Sequence, residues 1–203
     1  YATDETIFDY VRISNSRWNS GGLYLDNSAP LILHSLINHN TGTSSNGGAG
    51  GVFLKGSNGA VFTDVTFSNN SGPYGGGVKS LNASATFTNV NIINNEGYGA
   101  WGGGGILSTN SSLTFINCNI INNSANYYGS AISVSSSSTS NYTFINTNIL
   151  NNYTTSPFLL DGQCEVYADS GYAEGPLCYG GAIKIDLTAH GGVLYNTIKI
   201  VNS

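Results

Sequence analysis

Charge is what this sequence has least of: Asp, Glu, Lys and Arg make up 8% of its 203 residues, against roughly 25% in an ordinary soluble domain. Six Lys and Arg under a net charge of −5 leave no basic footprint for nucleic acid or an anionic bilayer. No apolar run approaches the ~18 residues of a spanning helix, which argues against membrane insertion. Methionine is absent and the sequence opens at Tyr1, as a mature product or an excised region does once a leader has gone. Three cysteines are too few for a disulfide scaffold. Cys164 and Cys178 share one loop-like stretch rich in Gly, Asp and Tyr; they are expected to pair, which implies an oxidising, extracellular compartment and a secreted chain. Hydrophobic residues still reach 40%, enough for a continuous core. The surface must then be covered by Asn, Ser, Thr and Gly.

Internal repetition decides the fold class. A nine-residue unit runs from an aromatic or aliphatic residue to an Asn: Phe8–Ser16, Leu31–His39, Phe62–Asn70, Phe87–Asn95, Phe115–Asn123 and Phe144–Asn152, with a degenerate copy at Leu194–Asn202. Between the copies stands a pair of small residues followed by an aliphatic, at Leu23, Val52, Val78, Ile106, Ile132 and Ile183. A period near 27 residues, filled with short β-branched segments and Gly, Asn or Ser, leaves no room for a helical leg. These features predict one all-β domain over residues 1–203: a single-stranded right-handed parallel β-helix of about seven coils, each with three short strands. A loop insertion is expected at about 153–179. Parallel coils about 4.8 Å apart would make a rod roughly 34 Å long.

Each repeat position then acquires a task. The columns Phe8, Leu31, Phe62, Phe87, Phe115, Phe144 and Ile13, Leu36, Phe67, Ile92, Ile120, Ile149 are expected to stack inside. Cys118 aligns with Val11, Val65, Val90 and Thr147, so it reads as a small buried hydrophobe. Asn15, Asn38, Asn69, Asn94, Asn122 and Asn151 are expected to form an inward amide ladder bonded coil to coil, because an amide both donates and accepts. Of the sequons, Asn82, Asn110 and Asn141 fall in one polar turn; with Asn152 they are the expected glycan sites, covalent N-glycans compensating for missing surface charge. Asn69 and Asn122 are sequons too, but their ladder positions would turn them inward.

Gly180–Ile183 (GGAI) and Phe67–Asn70 (FSNN) resemble the GGAI/FxxN repeats of chlamydial polymorphic membrane proteins. More broadly the chain is similar to the pectate-lyase-like superfamily of right-handed β-helices. The resemblance implies surface exposure and adhesion and says nothing of chemistry; that family's outer-membrane barrel has no counterpart in this sequence.

Catalysis finds little footing. Asp26, Asp64 and Glu96 fall at different phases of the repeat, and the arginines are Arg12 and Arg17. Polysaccharide hydrolysis needs two carboxylates at a set separation. His34, His39 and His190 lack metal-ligand spacing, and Asp161, Glu165, Asp169 and Glu174 match no calcium loop. Neither metal nor cofactor is expected, and the chain reads as no enzyme. Trp18, Tyr74, Trp101, Tyr128 and Tyr179 precede the small-residue pairs and would form an aromatic stripe able to contact sugar or a partner. The leading expectation is a structural subunit of a glycosylated extracellular filament or appendage, self-associating head to tail. An adhesin or module binding extracellular polysaccharide through the stripe is the alternative. A polysaccharide lyase or hydrolase comes third.

Overall fold

The computed structural model describes residues 6–44, 47–100, 102–126, 129–136, 140–155, 168–169, 183–187 and 197–201. Its strands form four parallel sheets, one more than the three expected per coil. Sheet A holds Ile7–Asp9, Leu31–Leu33, Asn58–Thr63, Ser84–Thr88, Ser112–Ile116, Asn141–Ile145 and Thr197–Val201. Sheet B holds Arg12–Ser14, Leu36–Asn38, Thr66–Ser68, Asn91–Ile93, Asn119–Ile121 and Asn148–Leu150. Sheet C is built of two-residue strands: Arg17–Trp18, Thr41–Gly42, Ser71–Gly72, Glu96–Gly97, Ser124–Ala125 and Tyr153–Thr154. Sheet D holds Leu23–Asp26, Val52–Lys55, Val78–Leu81, Ile106–Thr109, Ile132–Ser136 and Ile183–Leu187, with Ala168–Asp169 outside the last. The chain runs A, B, C, D in each coil, a right-handed solenoid of about five turns. Strands two residues long have no alternating pattern of their own, which hides sheet C from the sequence.

The register is one-to-one for the small-residue unit: Leu23, Val52, Val78, Ile106, Ile132 and Ile183 are Cα partners in succession. The nine-residue units align likewise, with two corrections. In the second copy the stacked residues are Ile32 and Ile37, paired with Phe62 and Phe67, so that unit begins one residue after Leu31. At the far end Ile200 pairs with Phe144, so Leu194 does not begin the last copy. The shift in the second copy has a simple cause. Runs such as Leu31–Ile32–Leu33 are apolar at every position, and only cross-coil hydrogen bonding chooses which residue turns inward.

Inside, Phe62, Phe87, Phe115 and Phe144 stack at centroid separations of 4.9, 4.9 and 5.1 Å, nearly parallel. These rings, with Phe67, Ile92 and Ile120 beside them, are buried in one continuous core, an apolar gain that favours folding. Cys118 is fully buried, and its thiol donates to the Phe87 carbonyl at 3.3 Å; burial pushes its pKa up. It packs as the small hydrophobe expected.

Corners explain the abundance of Asn. Between sheets A and B, Tyr10, His34, Asp64, Asn89, Asn117 and Asn146 all have positive φ. Between B and C, Asn15, His39, Asn69, Asn94, Asn122 and Asn151 do; between D and A, Asn27, Asn82 and Asn110 do. Left-handed backbone favours Asn, Asp and His among residues with side chains. One glycine column has a different role. A Cβ on Gly76 would lie 2.4 Å from the Gly104 carbonyl oxygen and 2.5 Å from Glu96 backbone atoms, so in this coil glycine lets the C–D connection pack directly on the next one.

Candidate functional surface

The inward amide ladder exists, one residue later than expected. Asn70 Nδ2 donates to Asn95 Oδ1 at 3.0 Å and Asn95 Nδ2 to Asn123 Oδ1 at 3.0 Å. Asn40 extends the series onto Asn70 at 3.1 Å, and Asn123 extends it onto Asn152 at 2.9 Å. Each amide also closes backbone: Asn95 Nδ2 donates to the Phe67 carbonyl, and its Oδ1 accepts from the Asn70 N–H. Asn40, Asn70, Asn95 and Asn123 are all at most 1% exposed. The expected ladder residues Asn15, Asn69, Asn94, Asn122 and Asn151 are instead the exposed left-handed corners. Asn38 is buried, but it lies within sheet B beside Ser14 and Ser68, and its Nδ2 donates to His39 Nδ1 at 2.8 Å. In each Asn-Asn doublet the first residue turns the chain and the second enters the core.

The sequons are re-sorted accordingly. Asn82 and Asn141 are exposed and Asn110 half-buried, all three near the D–A edge. Asn152 is committed to the ladder: its Nδ2 donates to the Ile120 and Leu150 carbonyls at 2.9 and 3.0 Å. Its expected glycosylation conflicts with that bonding, whereas Asn69 and Asn122 face solvent.

Among the described residues, the ion pairs lie in the early coils. His34 Nδ1 donates to Asp9 Oδ1 at 2.9 Å, its Nε2 lies 3.6 Å from Asp64 Oδ2, and Tyr10 stacks on its ring at 4.7 Å. At the D–A edge Tyr24 donates to Asp26 at 2.9 Å, and Lys55 lies 3.3 Å from the same carboxylate. The Tyr24 hydroxyl and then Lys55 hold Asp26 below its usual pKa. The residues of both clusters are exposed. By contrast, the segments 84–95, 112–123 and 141–152 contain no Asp, Glu, Lys, Arg or His. Their outer face carries a second ladder, in which Asn148 donates to Asn119 and Asn119 to Asn91, each at 2.9 Å, beside Thr86, Thr114 and Thr143 of sheet A.

Of the expected aromatic stripe, Trp101, Tyr128 and Tyr179 lie outside the described residues, as do Cys164 and Cys178. Trp18 is 63% exposed on sheet C. Tyr74 is not a free aromatic: it and Phe53 enclose the Lys79 ammonium, at 4.9 and 4.5 Å from the ring centroids. Lys79 also donates to the Gly47 carbonyl at 3.1 Å, tying the coil-two connection to a strand of the next coil. Burial lowers its pKa from 10.5 to about 8. Between those two pH values the unfolded chain holds a proton that the folded chain does not, so stability should climb with pH across that window. The gain is on the order of 2 kcal/mol after allowance for solvent screening. Denaturation of the wild type and Lys79→Met across pH 7–11 checks this: the stability of the wild type relative to the variant should rise with pH, and a constant difference would refute it.

Geometry therefore defines the class, a right-handed parallel β-solenoid with an amide-laddered core. Within that class the chain belongs to the right-handed β-helix family, whose model, described as right handed beta helix region, matches residues 1–172. No curated protein and no solved structure matches the chain.

Proposed function

We propose that the chain is a non-catalytic structural β-helix of the extracellular surface, a glycosylated subunit that extends end to end into a filament or appendage. The observation that carries this reading is the in-register equivalence of successive rungs. Sheets A and B pair residue for residue between segments 84–95 and 112–123, and sheet D does so from Val78–Leu81 through Ile106–Thr109 to Ile132–Ser136; one register shift interrupts sheet A between Asn58–Thr63 and Ser84–Thr88. A rung therefore presents the pattern that the next rung accepts, and docking between copies repeats a contact the interior already makes. Such a heterologous contact does not close, and it grows fibres. The solvent exposure of the Asp9–His34–Asp64 and Asp26–Lys55 clusters supports the non-catalytic part.

A second reading, an adhesin or carbohydrate-binding module, draws on exposed aromatics of sheet C: Trp18 at 63% and Tyr153 at 56%. A polysaccharide lyase or hydrolase has the least support. Negative-stain electron microscopy of natively purified material, with intact mass before and after glycan removal, tests the proposal. Long uniform fibres and a mass drop are expected. Discrete short rods at every concentration would overturn polymerisation and shift weight to the adhesin; binding to a glycan array that falls on Trp18→Ala would then identify it.

A further inference from the structure

We infer that Asn69 and Asn122 carry N-linked oligosaccharides, forming a second glycan column along the B–C corner, and that Asn152 stays bare. The inference rests on the glycoprotein reading above and changes which sequons serve it.

The chemistry sets the requirement. In the transfer, Asn Nδ2 attacks C1 of an oligosaccharide held on a lipid-linked diphosphate. The Nδ2–C1 bond forms, the C1–O bond breaks with its electron pair leaving on the diphosphate, and Nδ2 loses one proton. One N–H remains on that nitrogen, and a bulky substituent sits on it. Folding afterwards succeeds only where that nitrogen faces water and is not needed as a two-bond donor.

Asn69 and Asn122 meet the requirement. Both are exposed, and both hold left-handed corners at φ 53° and 55°. Their backbone N–H groups bond to Ile93 and Leu150 across the coil boundary, which fixes the corner without help from the side chain. The residue that follows each, Asn70 or Asn123, points the opposite way into the ladder and is 1% or 0% exposed. The third sequon position, Ser71 or Ser124, lies on sheet C, half-buried. Asn152 fails the requirement, since both its N–H groups are spent on Ile120 and Leu150 carbonyls and its Oδ1 receives Asn123. A glycan there would leave the Ile120 carbonyl without its partner and dislodge the end of the ladder.

The two edges differ in what they border. The B–C corner separates sheet C from the uncharged Asn91–Asn119–Asn148 face, while Asn82 and Asn110 line the D–A edge. Glycans on both edges flank sheets A and B and leave that uncharged face open between them.

The test is glycopeptide mapping of the chain secreted from a eukaryotic host, with amidase release in heavy-oxygen water marking each occupied Asn. Occupancy at Asn69 and Asn122 with none at Asn152 is the expected result. Ser71→Ala and Ser124→Ala should each remove one glycan's mass while keeping the corner Asn. Occupancy at Asn82, Asn110 or Asn141 with Asn69 and Asn122 bare, or a glycan on Asn152 of folded protein, overturns the inference and spares the glycoprotein reading. A chain bare at every sequon defeats both.

Discussion

Asn95→Ala should lower stability by about 3–5 kcal/mol, while Asn94→Ala, one residue away, should cost only about 1 kcal/mol. The Asn95 side chain makes four hydrogen bonds: it donates to the Phe67 carbonyl and Asn123 Oδ1, and accepts from the Asn70 N–H and Asn70 Nδ2. All of these groups are buried where water cannot replace the amide. Truncation leaves several of them unpaired at once, and each orphan costs about 1–3 kcal/mol. Asn94 is exposed and holds φ at 56°, so its replacement loses only the Asn preference for left-handed backbone. Asn94→Gly should be close to neutral, because glycine adopts that φ without strain. Urea unfolding of the three variants checks the ranking. Equal losses at 94 and 95, or a larger loss at 94, would mean that the ladder is misplaced.

Phe115→Ala should cost about 3–5 kcal/mol, and its loss should be felt beyond its own coil. Phe115 lies between Phe87 and Phe144, at 4.9 and 5.1 Å, and is fully buried. A cavity there removes contacts with the coil on either side, and a solenoid has no other route by which distant coils stabilise one another. The expected melt is broader than wild type or has two steps, since the two halves of the rod lose their coupling. Phe8→Ala, in a half-buried rung, should shift the melt less and leave it single. A uniform, sharp shift for Phe115→Ala, the same size as for Phe8→Ala, would count against nearest-neighbour coupling.

The repeat made much of this legible without coordinates. Gly76–Gly77–Val78 and Phe87–Asn95 recur because parallel coils impose the same environment at the same phase, so composition itself repeats. The aromatic stack at Phe62, Phe87, Phe115 and Phe144 was readable for that reason, and so was the burial of Cys118 among valines. The Asn-Asn doublets advertised a ladder but not which member forms it. Asparagine is both a frequent left-handed corner residue and a good ladder amide, and those two roles occupy adjacent positions. The second coil shows the ambiguity most sharply. There His39 takes the corner and Asn40 the ladder, so the doublet is interrupted and Asn38 looks like its first member.

Sequence by itself determined the period, the all-β character of the described residues, the parallel stacking and the identity of most core columns. These follow from residue type repeated at constant spacing, which is a one-dimensional property. Tertiary structure alone decided the inside-or-outside choice at each corner, the fourth sheet, and the pairing of Lys79 with Phe53 and Tyr74. It also decided which sequon nitrogens remain available. Those outcomes depend on hydrogen bonds between residues about 25–30 positions apart, such as Asn70 to Asn95 and Asn123 to Asn152. A slip of one residue in the register turns every such side chain to the opposite face; local sequence cannot detect that slip, and the neighbouring coil can.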